Sequence, residues 1–354
     1  KLDIPIINAC GIGSYLDVFD RLEKMDAKFG AWLPKSIGPF SSDPELRKRY
    51  DWGEEKPGNP NPVVVHTGSV LLNSMALPTH PVESWIEEFE RYRLKKPIIG
   101  SVYGFKPEDY ETLIRMADKY VAAWELNVSC PNKQKGEASL MESMTEKVEQ
   151  IVLPLRKATD KPIIVKLSPN EDYATMTRIV KDHVDYIACG NTVGPGLVID
   201  IHSRRPVLAG TYGGMSGPAI KPKNMKMVND IYDILEGSDV GIVAYGGIDT
   251  WEDVIEYAIA GASIFGLGTR AFMDLTDGIA RPRSTEEIVR YTETLWAGVE
   301  AFCKKERPTL AQLSGCLQKS TSTRPSGSPT SSNTTRNSGV SSSTGNCLRR
   351  PASS

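Results

Sequence analysis

Short apolar runs alternate along the chain with longer stretches in which apolar residues recur at three- and four-residue spacing. The runs 5–9, 31–34, 98–102, 123–127, 162–167, 186–189, 241–245 and 263–266 are β-rich and almost wholly apolar. Parallel strands covered on both faces by helices require that pattern. The spacing between them predicts helices over 85–94, 107–120, 145–158, 173–183, 224–235 and 250–260, and a further helix over 285–305 closes the body. Thr250 with Asp253 three residues on has the form of a capping box, and Ser84 opens a similar stretch. Strands alternating with helices over this length predict an α/β fold, a (β/α)8 TIM barrel with insertions over its C-terminal face. A doubly wound sheet is the second choice, weakened because no GxGxxG follows the first strand. The longest interruption, 38–80, is rich in Pro, Gly and Asn and predicts irregular structure over one barrel face.

Composition then divides the chain unequally. Residues 319–354 hold 18 Ser or Thr, five basic residues and no acidic ones. Such a segment has too little apolar surface to offset its ordering entropy and is expected to be disordered. The expected organisation is one barrel over 1–318 and a Ser/Thr-rich tail over 319–354. The whole chain has 42 basic and 44 acidic residues, a net charge of −2, so a general nucleic-acid binder is not expected. No run approaches the ~20 apolar residues of a membrane span, and Leu2–Ala9 is not read as a signal peptide. A cytoplasmic protein is expected. The six cysteines and four histidines are dispersed without CxxC or ligand spacing, so neither a disulfide framework nor a metal site is expected.

In a barrel, side chains that do chemistry stand at the C-terminal ends of the strands. Those positions carry Ala9-Cys10-Gly11, Lys35-Ser36, Gly100-Ser101, Asn127 through Asn132, Lys166, Asn191-Thr192, Gly246-Gly247 and Gly268-Thr269. Asn and Lys are costly to bury unpaired, so a polar, planar ligand is expected to meet them. The turns after the seventh and eighth strands have the glycines that let backbone N–H groups approach a phosphate. Residues 213–217, Gly-Gly-Met-Ser-Gly, are expected to add a third such loop. Two lysines and several Asn amides without an acidic cluster suit an electron-rich heterocycle bearing a phosphate, and flavin mononucleotide (FMN) fits. Lys35 and Lys166 are the candidates for stabilising the reduced ring. Cys130, in a loop among hydrogen-bonding side chains, is a candidate general base. Cys189, on a β-rich run, reads as a buried apolar filler.

The segment Asn127-Val-Ser-Cys-Pro-Asn132 resembles the substrate loop of the class 1 dihydroorotate dehydrogenases. Residues 73–78 (Asn-Ser-Met-Ala-Leu-Pro), Lys35-Ser36, Gly190-Asn191-Thr192, residues 213–217, Tyr245-Gly246-Gly247-Ile248 and Gly268-Thr269 resemble that family in the same order. The resemblance implies an FMN barrel that oxidises (S)-dihydroorotate to orotate in pyrimidine synthesis. It implies Cys130 as the base that takes the C5 proton while C6 delivers hydride to flavin N5. It implies Lys35, Asn73, Met75, Leu77, Asn127, Asn132, Asn191 and Thr192 around the substrate. For the flavin it implies Ala9, Gly11, Lys35, Ser36 and Asn127 at the ring system and Lys166 at its N1/C2 edge. Gly217, Gly246, Gly247, Gly268 and Thr269 would hold the phosphate. Asn side chains both donate and accept, so they match the carbonyls and N–H groups of orotate without adding charge.

There are departures from the pattern. Residues 61–64 read Asn-Pro-Val-Val where the family often has Pro-Arg-Tyr, and 133–136 read Lys-Gln-Lys-Gly where the fumarate-using branch often has Val-Pro-Gly-Lys. The membrane-bound class has Ser in place of Cys130, so quinone is the least expected acceptor. Fumarate, or NAD through a separate flavin and iron–sulfur subunit, both stay open. A homodimer is expected from the resemblance. Two other readings are weighed, a dihydropyrimidine dehydrogenase-like FMN module and a non-catalytic binding barrel.

Overall fold

The computed structural model describes residues 2–11, 15–39, 64–68, 70–74, 79–104, 106–128, 144–274, 281–306 and 308–317, the side chains of 144–146 excepted. Seven parallel strands form the central sheet: β1 (Ile6–Asn8), β4 (Ile99–Val102), β5 (Ala123–Asn127), β6 (Ile163–Leu167), β7 (Tyr186–Cys189), β12 (Gly241–Tyr245) and β13 (Ile264–Leu267). Their spatial order is β1-β13-β12-β7-β6-β5-β4. That order advances in one direction around the sheet and never reverses, whereas a doubly wound sheet has a reversal at its switch point. Isolated parallel bridges join Ile7 to Ala31, Trp32 to Ile98 and Ile37 to Val102. The segment 31–37 therefore touches both edge strands of the sheet.

Strand alternation sorts the side chains into two apolar clusters. An inner one gathers Ile7, Ala31, Leu33, Ile99, Ile164, Ala188, Val243 and Tyr245. The outer one holds Ile6, Trp124, Leu126, Val165, Ile187, Cys189, Ala244 and Phe265 against the helices. Those helices are α1 (Asp17–Lys24), α2 (Val82–Arg91), α3 (Pro107–Ala117), α4 (Met144–Leu155), α5 (Tyr173–Val180), α6 (Lys221–Ile234), α7 (Trp251–Ala260), α8 (Thr269–Phe272), α9 (Thr285–Glu306) and α10 (Leu310–Leu313). The capping box at α7 forms as expected, Asp253 Oδ2 accepting from Thr250 N at 2.8 Å. The expected cap at Ser84 does not form, because α2 starts two residues earlier behind Pro81. No helix among the described residues is long and apolar enough to cross a membrane.

Two expectations are corrected. The described part of 38–80 is not all irregular: β2 (Val64–His66) and β3 (Leu71–Asn73) form a hairpin. It joins β8 (Val193–Leu197) and β11 (Tyr212–Ser216) in a four-stranded antiparallel sheet. Residues 213–216 are consequently strand rather than a third phosphate loop. A Cβ at Gly213 would stand 2.7 Å from the Asn73 carbonyl oxygen, and one at Gly214 would stand 2.3 Å from Thr192 Oγ1. These glycines serve close strand packing. Small strands β9 (Ile199–Asp200) and β10 (Arg205–Pro206) pair beyond that sheet, and β14 (Met273–Asp274) pairs with β15 (Arg281–Pro282). Cys10, Cys189 and Cys303 are free thiols. Cys316 is disulfide-bonded, a bond the sequence reading did not expect. The tail expected over 319–354 lies outside the described residues.

Candidate active site

A cavity of about 550 Å³ opens at the C-terminal ends of the parallel strands. Polar groups reach it from positions at or just past the ends of several strands. Ala9 and Gly11 follow β1, Lys35 and Ser36 follow the bridged segment, Asn127 ends β5 and Lys166 sits near the end of β6; all line the cavity. Asn191 and Thr192 after β7, Gly246 and Gly247 after β12, and Gly268 and Thr269 after β13 complete the ring. Asn73, on β3, and Gly217, after β11, reach the same cavity from the antiparallel sheet. Every described candidate residue thus meets in one place. Cys130, Asn132, Met75 and Leu77 lie outside the described residues.

The wall near β1 is a hydrogen-bonded cluster. Cys10 Sγ lies 3.0 Å from Ser36 Oγ and 3.3 Å from Ser101 Oγ, and the two hydroxyls are 2.8 Å apart. Asn127 Nδ2 donates to Ser36 Oγ at 3.4 Å. Asn127 Oδ1 is buried with no hydrogen-bond partner. A buried amide oxygen left unpaired costs about 1–3 kcal/mol, so the arrangement is fitted to a donor on a ligand. Across the cavity Asn73 Nδ2 donates to the Gly214 carbonyl at 3.3 Å, and Asn191 Oδ1 accepts from Thr192 N at 2.8 Å.

The glycine turns fit an anion. Gly217, Gly246 and Gly247 have φ of 101°, 99° and 75°, the left-handed region open to glycine. Tyr257 donates its hydroxyl to the Gly246 carbonyl at 2.7 Å and fixes that turn from below. A Cβ at Gly11 meets nothing within 4 Å, and one at Gly268 meets only Ala9 Cβ at 3.5 Å. The space beside these two glycines is what a group bound against bare backbone would fill, and a flavin phosphate and ring fit it. Among the described lining residues four are basic (Lys35, Lys166, Arg270 and Arg283) and none is acidic. Arg270 is held by Asp249 at 2.7 Å, and Arg283 donates to the Arg270 carbonyl at 3.0 Å.

Sequence reasoning missed Tyr245, Arg270 and Arg283 as lining residues. Tyr245 stands in an otherwise apolar strand, where a polar side chain at an inward position is a usable signal. The two arginines lie in connections with no pattern to single them out.

A model of the dihydroorotate dehydrogenase family matches residues 53–281. The chain is 35% identical over 273 residues to the catalytic subunit of dihydroorotate dehydrogenase B (NAD+) from Pyrococcus furiosus, covering 76% of this chain and 84% of the relative. The Thermococcus kodakarensis protein of the same name is 34% identical over 305 residues, covering 82% and 94%. The Methanocaldococcus jannaschii one is 37% identical over 319 residues, covering 88% and 93%. The cavity of Asn, Lys and glycine at the strand ends therefore sits in a chain that belongs to the dihydroorotate dehydrogenase family, flavin-dependent oxidoreductases that oxidise dihydroorotate in pyrimidine biosynthesis.

Proposed function

We propose that this chain is a cytoplasmic enzyme that oxidises (S)-dihydroorotate to orotate with FMN as its flavin, on a closed (β/α)8 barrel spanning residues 1–318. The bridges from 31–37 to both β1 and β4 support closure, with that segment as the eighth strand. The observation that carries the functional reading is the meeting, in one cavity, of positive-φ glycine turns with Asn73, Asn127, Asn191, Lys35 and Lys166. Gly217, Gly246, Gly247, Gly268 and Thr269 hold the phosphate, and Ala9, Gly11, Ser36 and Asn127 border the ring. When bound, FMN supplies the acceptor for the hydride that leaves substrate C6.

The chain's own groups do the rest. Asn73, Asn127, Asn132 and Asn191 pair with the ring amides and carbonyls of the substrate, and Lys35 pairs with its carboxylate by a charge-assisted hydrogen bond. Met75, Leu77 and Thr192 complete the substrate contacts. Cys130 as thiolate removes the C5 proton. Lys166 places positive charge where negative charge accumulates on reduction. Electrons leave to an NAD-linked partner subunit bearing flavin and iron–sulfur centres; the relatives' shared name, catalytic subunit of an NAD+ enzyme, supports that acceptor over fumarate. A homodimer core is part of the same reading. Leu197, Ile199, Ile201 and Tyr212 stand exposed around β8, β9 and β11, and clustered exposed apolar residues mark contact surfaces.

The test is anaerobic mixing of purified protein with dihydroorotate. Bleaching of a released-and-identified FMN, with reoxidation slow in fumarate and in NAD but restored by NAD plus the partner subunit, is expected. A colourless protein that does not take up FMN refutes the reading.

A further inference from the structure

The most deeply buried carboxylate of the described residues has no role in the site so far. Glu125 is 0% exposed. It stands on β5 between Trp124 and Leu126, both in the outer cluster, so strand alternation turns it inward. The Tyr245 hydroxyl donates to Glu125 Oε2 at 2.7 Å. Lys166 Nζ lies 3.6 Å from Glu125 Oε1 and 5.0 Å from the centre of the Tyr245 ring. The ring reaches that place because residue 266 on the adjoining strand is glycine: a Cβ there would stand 1.9 Å from the ring. Three strands thus combine to seat one carboxylate under one lysine that is itself 6% exposed and lines the cavity. Apolar side chains of similar volume would serve stability as well as a buried ion pair, so its presence calls for a reason beyond stability.

We propose that Glu125, with Tyr245, is a positioning residue for Lys166: it holds the ammonium in place and protonated before any electrons arrive. The proposal rests on the reading of the cavity as a flavin site with Lys166 beside the ring. A buried ammonium lacking a counter-charge sheds its proton, because burial disfavours the charged form. Glu125 removes that tendency. Oxidation of dihydroorotate sends its C5 proton to the base and its C6 hydrogen, with two electrons, to the flavin, which thereby gains one negative charge. A lysine already protonated balances that charge with no further proton taken from solvent. Without Glu125 the lysine would be neutral beside the oxidised ring and would bind a proton as the ring turned negative. The charged and titratable groups near Lys166 include Glu125 from β5 and Tyr245 from β12, and Cys10 and Lys35 line the same cavity. Burial first, and then the Glu125 charge, push the Tyr245 hydroxyl well above its ordinary range, so it remains a donor.

The experiment measures proton uptake on anaerobic reduction of the flavin-loaded enzyme, together with the pH dependence of its midpoint potential. Above the pH at which the reduced ring itself titrates, the wild-type enzyme is expected to take up one proton per two electrons. Glu125→Gln, which keeps an acceptor for the Tyr245 hydroxyl, is expected to take up two, doubling the slope of potential against pH. The double variant Glu125→Gln/Lys166→Met removes both charges and is expected to return to the wild-type slope. A merely structural Glu125 would lower stability in the single variant and leave all slopes equal; that result overturns the proposal. Uptake of two protons by the wild-type enzyme also overturns it, whether or not Glu125→Gln folds. A chain that cannot be loaded with flavin refutes the functional reading itself and this proposal with it. A loaded chain with equal slopes refutes the proposal alone.

Discussion

Replacing Gly247 by alanine tests the glycine cradle against a control elsewhere in the fold. Gly247 has φ of 75°, and a Cβ there would stand 2.6 Å from Lys221 Cβ, 2.7 Å from its nitrogen and 2.8 Å from its Cα. Gly237 has almost the same φ, 78°, but a Cβ there meets nothing within 4 Å. Holding alanine at positive φ costs about 1–2 kcal/mol at either place. Only at Gly247 must backbone also move, because the obstacle is the first residue of α6 and not the tip of a flexible side chain. Overpacking of that kind adds about 1–3 kcal/mol. The α6 start cannot yield freely, since Lys221 Nζ is bound to Asp253 at 2.5 Å and Glu256 at 2.8 Å. Gly237→Ala is therefore expected to lose about 1–2 kcal/mol and Gly247→Ala about 2–5 kcal/mol. Urea midpoints read the difference, and flavin per chain after gel filtration reads the function. Gly237→Ala should keep full flavin, whereas Gly247→Ala should lose most of it, because the same displacement opens the turn that faces the phosphate. Equal destabilisation of the two variants, or full flavin in Gly247→Ala, would refute the reasoning.

Cys130→Ala should retain flavin and dihydroorotate binding while flavin reduction falls by the ~10²–10⁴-fold of a lost general base; stopped-flow bleaching at near-normal rate would remove Cys130 from that role. Asp118 is pushed up by burial but pulled further down by hydrogen bonds from Thr159 and Trp124 and by the Lys161 charge, so its carboxyl sits below the ordinary 3.8. Its stabilising contribution is then present above the unfolded value and lost as pH falls through the lower folded one. Acid titration of stability should be flatter below about pH 4 in Asp118→Asn than in the parent, and parallel curves would contradict the assignment. Deleting 319–354 should leave flavin content and turnover unchanged, since that composition offers almost nothing to bury; a large loss of either shows that the segment packs on the body.

The elements that were legible in the sequence are those where burial dictates the pattern on both faces. β6 and β12 read directly because Ile163, Val165 and Leu167, or Ile242 and Ala244, face the helices while Ile164 and Val243 face the inner cluster. Helix α1 escaped because its core contribution is two residues, Phe19 and Leu22, in an otherwise charged segment. Strands β8 and β11 escaped for another reason. Val193-Gly-Pro-Gly-Leu197 and Tyr212-Gly-Gly-Met-Ser216 have the composition of turns. They become strands because each supplies the other's backbone partners, with β3 on the far side of β11. Pairing of that kind joins distant segments and leaves no local signature.

At the site, Lys35, Asn127 and Lys166 at or near strand ends were legible, whereas Glu125 inside β5 and the two arginines in connections were not. Lys35, Arg270 and Arg283 stand at the cavity wall, half-buried, where water and salt still screen them; there they raise the affinity for an anionic substrate or phosphate and contribute little to the field deeper in. Lys166 and Glu125 lie below, nearly or wholly out of solvent, where screening is weak and a charge acts at close to full strength on whatever stacks above it. On the proposed reading, charges that attract ligands and the charge that favours electron transfer are thus set at different depths of one cavity. The upper set can vary with the loops that carry it. The lower pair is fixed to the adjoining strands β5 and β6, with Tyr245 of β12 bound to Glu125, so on the proposed reading altering it perturbs the electron-accepting power of the site without first changing what binds there.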